Sequence, residues 1–198
     1  MVAGSGRDLS ELLAEIDACD ICGAELPLGP RPVLRASRTA RLMVIGQAPG
    51  TRVHETGTPW NDKSGERLRH WLDIDRKMFY DATRIAIVPM GFCYPGRDRR
   101  GGDLPPRPEC ASTWHDRLLN ELPYIELTLL VGSHAQKRYL GSRARSNLTE
   151  TVHAWKDYLP GFIPTPHPSW RTIAWVRNNP WFADEILPEL RRRVAECL

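Results

Sequence analysis

Four short apolar runs punctuate the chain, Leu42 to Ile45, Ile85 to Val88, Leu127 to Val131 and Phe162 to Thr165, each of strand length. Helical spacing lies between and around them. Leu9, Leu12, Leu13 and Ile16 predict a helix over Leu9 to Ala18, closed by Cys19-Asp20-Ile21-Cys22. Leu68, Trp71 and Leu72 mark Ser64 to Leu72, and Trp114, Leu118, Leu119 and Leu122 mark Pro108 to Leu122. Ala135 to Leu140 and Leu148 to Trp155 read as short helices, and Trp181 to Cys197 as the last one. Residues 23–38 carry Pro27, Pro30 and Pro32 and read as an extended wrap. Strands alternating with helices predict an α/β fold, a three-layer α/β/α sandwich with a central four-stranded parallel sheet. No repeat, low-complexity tract or linker divides residues 1–198, so one domain is expected.

In such sheets, ligands sit at the carboxyl ends of the strands. Three loops of this chain fall there: Gly46-Gln47-Ala48-Pro49-Gly50, Pro89-Met90-Gly91 and His167-Pro168-Ser169. The first delivers backbone N–H groups to one edge of the sheet, and the last delivers a titratable ring to the same edge. Together they predict a pocket.

Composition adds little to this picture and charge placement adds more. With 41% hydrophobic and 26% charged residues the chain is an ordinary globular one, and a net charge of +3 is too small to mark a nucleic-acid partner. No apolar run approaches a membrane span, and Met1 to Arg7 lacks the apolar stretch of a signal peptide, so a cytoplasmic protein without membrane contact is expected. Arg97, Arg99, Arg100 and Arg107, and again Arg138, Arg143 and Arg145, gather in segments with Gly or Ser that could meet phosphates or simply be solvated. Arg191-Arg192-Arg193 is expected in the last turn of the final helix, complementing its dipole.

Five cysteines in such a chain argue against a disulfide framework. Cys19 and Cys22 form a C-x-x-C; Cys93 and Cys110 flank the proline- and arginine-rich segment 94–109. Four thiolates can hold zinc or an iron-sulfur cluster, spacing alone does not choose between them, and buried structural cysteines are the plain alternative.

The Gly46 to Gly50 loop after the first strand and the His167-Pro168-Ser169 loop after the last resemble the two signature loops of the uracil-DNA glycosylase superfamily, over nearly the whole span from Cys19 to Arg171. The four cysteines resemble, in order and approximate spacing, those of its iron-sulfur branch. The resemblance implies a 4Fe-4S cluster on Cys19, Cys22, Cys93 and Cys110, with zinc as the alternative, stapling the amino-terminal wrap and the 94–109 segment to the body; Cys197 has no counterpart and is expected to be free.

The resemblance also distributes roles around the pocket. His167 would donate a hydrogen bond to the base oxygen as charge grows there, and Trp60, in Thr58-Pro59-Trp60, would stack on a base flipped out of the helix. Gly46, Ala48, Pro49 and Gly50 would cradle it. Ser169 would bind a DNA phosphate, Trp170 and Arg171 would enter the minor groove, and Arg99 and Arg100 would meet phosphates.

The chain departs from the pattern in two places, the first loop and the end of the second strand. The water-positioning Asp of the best-known members is Ala48 here, and the Glu that precedes that Ala in the iron-sulfur branch is Gln47. An amide is no general base, so Gln47 would orient the base or a water, and the charge would come from Asp62 or, second, Glu55. The Asn that reads uracil is replaced by Pro89, which moves base recognition to Asn61, Gln47 or backbone groups around Met90 and Gly91. The expectation is a monomeric, monofunctional glycosylase acting on uracil, or another deaminated base, in single- or double-stranded DNA. A uracil- or abasic-site-binding protein without turnover is the alternative, and a metal-stapled protein that only binds DNA or RNA is the third reading.

Overall fold

The computed structural model describes residues 8–99 and 101–198. Its sheet consists of β1 (Leu42–Ile45), β2 (Ile85–Ile87), β3 (Leu127–Val131) and β4 (Phe162–Thr165), all parallel, in the order β2-β1-β3-β4. Leu42 stands opposite Ile85 on one side and Leu127 on the other, and Thr128 opposite Phe162. The expected α/β/α sandwich is the observed one. β1 and β3 are central neighbours whose onward connections run to opposite edges, and a crevice opens at such a switch point, beyond the strands' carboxyl ends.

Every residue of β1, β2 and β3 is buried, because both faces of the sheet are covered. The two-residue period of a strand sorts their side chains between two cores. Leu42, Val44, Ile85, Ile87, Leu127, Leu129 and Val131 face one core with α3 (Lys63–Leu72), α8 (Leu148–His153) and α10 (Leu187–Cys197). Met43, Ile45, Ala86, Val88 and Leu130 face the other with α1 (Leu9–Asp17), α6 (Asp116–Asn120) and α7 (Ser133–Leu140). Cys197, expected free, is unpaired and 6% exposed in the first core.

The helix predicted over Pro108 to Leu122 is built from α5 (Pro108–Cys110), a wide π turn (Ala111–His115) and α6. Three short helices went unpredicted: α2 (Thr51–Thr56), α4 (Arg76–Phe79) and α9 (Thr172–Asn178). Arg191, Arg192 and Arg193 lie in the middle of α10 rather than in its last turn. Arg192 and Arg193 pair with Glu189 one turn back, whereas Arg191 donates to the carbonyls of His70 and Trp71 and so satisfies the carboxyl end of α3. Arg138 lies within α7 and pairs with Asp116; Arg143 and Arg145 bind Asp157. That second arginine group is engaged in local contacts.

Candidate active site

A cavity of about 270 Å³ opens at the carboxyl ends of the strands. This lies just below the roughly 300–1,000 Å³ of small-molecule sites and suits one base. Gly46, Gln47, Ala48, Pro49 and Gly50 line it, as do Trp60, Asp62, Pro89, His167, Ser169, Trp170 and Arg171. Residues far apart in sequence are thus brought together as expected.

The indole of Trp60 defines one wall. It packs so closely over Gly46 that a Cβ there would stand 2.7 Å from its ring, and its centroid is 5.5 Å from that of His167. Trp60 has a left-handed φ of 55°, which is costly for a bulky residue and persists only where its surroundings impose it. Here they do. Arg69, 8% exposed, donates to the Trp60 carbonyl at 3.2 Å; Tyr80 Oη donates to the same oxygen at 3.2 Å and to that of Pro59 at 2.8 Å. Arg69 in turn lies over the rings of Phe79 and Tyr80.

Helix α3 braces both loops. Asp62 is its N-cap, accepting from Gly65 N at 2.8 Å, and Arg67 donates to the Pro168 carbonyl at 2.8 Å. The His167 carbonyl accepts from Ser169 N at 2.8 Å and from Thr172 Oγ1. The backbone of His167 is therefore fixed while its ring borders the cavity. Burial pushes the His167 pKa below the ordinary histidine value, against the opposing pull of Asp62 and Asp103. A neutral imidazole is thereby favoured at neutral pH, which suits a hydrogen-bond donor to a developing anion.

At the rim, Trp170 is 72% exposed and Ile173 59%, with the Arg171 guanidinium 5.3 Å from the Trp170 ring centroid. Trp170 and Arg171 thus present an exposed indole beside a cation at the mouth of the cavity.

Other expected residues lie elsewhere. Met90 and Gly91 do not line the cavity, and their N–H groups bond to the carbonyls of Gly46 and Gln47, because the β1–β2 pairing runs on past the strand ends. Asn61 faces away: its Oδ1 accepts from Arg76 and its Nδ2 reaches Thr56 Oγ1. The carbonyl of Pro89 meets Nε2 of His115 at 3.1 Å. His115 is 1% exposed, stacks on Phe92 and meets Tyr139 Oη through Nδ1 at 2.7 Å, and burial depresses its pKa to about 4. Glu55 is exposed in α2, and its carbonyl accepts from Arg31. Arg99 is exposed and does not line the cavity; Arg100 lies outside the described residues.

Arg97, Gly101, Gly102 and Asp103 do line it, and the sequence reading missed them as cavity residues. Gly96 and Arg97 lie antiparallel to Asp103 and Leu104 as a hairpin, with a bridge between Arg97 and Asp103, an ion pair at 3.6 Å between them, and Leu104 N bonded to Gly96 O at 2.9 Å. Gln47 Nε2 donates to the Leu104 carbonyl at 3.2 Å and ties this hairpin to the first loop. The double glycine before Asp103 was the available turn signal.

The segment that carries the hairpin begins and ends at the cysteines. Cys19, Cys22, Cys93 and Cys110 line one small cavity together with Arg107. Cys110 Sγ accepts from Phe92 N at 3.3 Å, and the Cys22 thiol donates toward the Glu109 carboxylate at 4.0 Å. Burial raises the pKa of Cys22 and Cys93 and pushes that of Cys110 up to about 12. Among the described residues, no group of three or more His, Cys, Asp or Glu is gathered closely enough to hold a single metal ion. Nor is any helix long and apolar enough to cross a membrane.

Cys19 and Cys22 precede the part of the chain that is matched to known proteins. The profile of the uracil DNA glycosylase superfamily matches residues 35–191, a stretch that takes in all four strands and every cavity-lining residue but Val33, and the chain belongs to that superfamily.

Proposed function

We propose that this protein is a monofunctional uracil-DNA glycosylase, hydrolysing the bond between deoxyribose and a flipped-out uracil to leave an abasic site. Superfamily membership supports a glycosylase-like action on DNA in general. The observation that carries the finer reading is His167, fixed through its backbone, held toward its neutral form, and set beside the Trp60 indole in a cavity sized for one base.

In this reading the base stacks on Trp60, and His167 donates to its carbonyl oxygen as the bond from the anomeric carbon to the base nitrogen breaks. The electron pair leaves with the base. Water then bonds to the anomeric carbon, a proton passes from it toward the Asp62 carboxylate and on to solvent, and the base takes one from solvent. Asp62 also offsets the charge of the sugar cation, while Gln47 holds the first loop against the hairpin. Ser169, Trp170 and Arg171 meet the strand and the space left by the flipped nucleotide.

Cys19, Cys22, Cys93 and Cys110, which line one small cavity, would hold a 4Fe-4S cluster, with zinc as the alternative. When bound, such a cluster supplies a cross-link between the amino-terminal wrap and the hairpin. Equimolar iron and acid-labile sulfide, lost together in Cys93→Ser, are expected from the purified protein; stoichiometric zinc would select the alternative.

The function is tested with oligonucleotides that each carry one altered base. Release of free uracil supports the reading. Selective binding of uracil without release would point to a binding protein that does not turn over.

A further inference from the structure

Most of the groups that the sequence offered for reading the base are engaged. Pro89 has no side-chain donor and its carbonyl is held by His115; the N–H groups of Met90 and Gly91 bond to the first loop; Gln47 Nε2 is held by Leu104 O. One carboxylate oxygen of Asp62 caps α3, and the Arg171 guanidinium lies over Trp170. The hairpin offers a different pair. The contact between Arg97 and Asp103 joins Nε to Oδ1, so the two terminal guanidinium nitrogens and Oδ2 lie outside that contact, and both residues line the cavity. The bridge between their backbones and the tie from Leu104 to Gln47 hold the two side chains next to each other and next to the first loop.

We infer that Arg97 and Asp103 read the edge of the base, the guanidinium donating to a ring carbonyl and the carboxylate accepting from the ring N–H beside it. The substrate class is then set by the lactam edge shared by uracil, hypoxanthine and xanthine. Cytosine and adenine, the amino parents of uracil and hypoxanthine, present in the same pose an amino group toward the guanidinium and an unprotonated nitrogen toward the carboxylate. Two repulsions replace two hydrogen bonds. Thymine and guanine share the lactam edge, so their rejection falls to the shape of the cavity. Both side chains are about half exposed in the free protein, 58% for Arg97 and 50% for Asp103, so the pair gains strength only when a seated base excludes water.

This inference rests on the proposed glycosylase reading, and the test separates the two. Affinities are measured for three oligonucleotides, one with a fluorinated, non-hydrolysable deoxyuridine analogue, one with an abasic-site analogue and one with normal bases, using wild type, Arg97→Gln and Asp103→Asn. The expected result is a loss of about 5- to 150-fold on the uracil analogue in each variant, with abasic-site binding unchanged. Equal losses on both would assign the pair to the DNA backbone and overturn the inference, as would no loss on either; both results leave the wild-type preference for uracil intact. A wild-type protein that does not distinguish the uracil analogue from normal DNA would overturn this inference and the proposed function together.

Discussion

Gly65 lies directly beneath the carbonyl of Trp60: a Cβ at position 65 would stand 1.8 Å from that oxygen and 2.9 Å from the Trp60 Cβ. The first turn of α3 can therefore approach the left-handed Trp60 only where it carries no side chain. The obstructing atom is backbone, held in place by Arg69 and Tyr80, so it cannot swing aside.

Gly65→Ala is accordingly expected to cost about 3 kcal/mol, at the upper end of overpacking effects, and to displace Trp60 from the cavity. Urea denaturation measures the first effect and quenching of tryptophan fluorescence by uracil-containing DNA the second. Wild-type stability in this variant would show that the turn relaxes freely.

His167→Ala is expected to slow base release by about 100- to 1000-fold, the scale for losing one preorganised donor to a developing anion. DNA affinity, carried by the rim, should change far less. Single-turnover rates with binding measured separately decide this, and an unchanged rate would remove His167 from the reaction.

Asp62→Asn isolates charge from structure, because asparagine caps a helix as well as aspartate does. Stability should stay near that of wild type while uracil release falls by about 100-fold. Gln47→Ala, which loosens a loop contact, should cost less. The reverse order in single-turnover assays would transfer the working role to Gln47.

His115 predicts a pH dependence of stability. The unfolded chain protonates this ring below its ordinary pKa of 6.5, the folded protein only near 4. Protons therefore favour the unfolded chain throughout that interval, and stability should fall by about 3 kcal/mol as the pH drops from 6.5 to 4. His134 and His167, also depressed by burial, act in the same direction. Chemical denaturation of His115→Gln across this range should give a shallower slope; an equal slope would reassign the effect.

All four strands were legible because each is an apolar run closed by turn residues, and even Pro164 did not obscure β4. The short helices were not. Arg76–Phe79 is a single turn capped by Asp75, too brief for periodicity to register, and Thr51–Thr56 offers Val53 as its one buried residue. Thr172–Asn178 hides differently: Ile173 to Val176 is an unbroken apolar stretch, which reads as strand as readily as helix.

The site divides in the same way. His167, Trp60 and the first loop could be read because they follow strand ends closely. His115 reaches the Pro89 carbonyl from a π turn 26 residues on, and the buried Arg69 reaches the Trp60 carbonyl, contacts that no local pattern announces; for Arg97 and Asp103 the double glycine between them was the one local signal. Asn61, Met90 and Gly91 were close enough in sequence to suggest a role, and the continued β1–β2 pairing and the Arg76 contact turned them elsewhere.

The segment that carries Arg97 and Asp103 leaves the body at Cys93 and returns to it at Cys110, so the rim of the larger cavity is a closed loop whose knot is the cysteine cavity. Untying that knot, by oxidation of the thiols or loss of whatever they hold, returns conformational freedom to the rim while the four strands keep their pairing. Linkage makes the dependence mutual. If the protein acts as proposed, DNA seated against the hairpin is expected to slow the opening that exposes the thiols, and a base seated in the cavity to shield the cysteines from reagents at the far end of the loop.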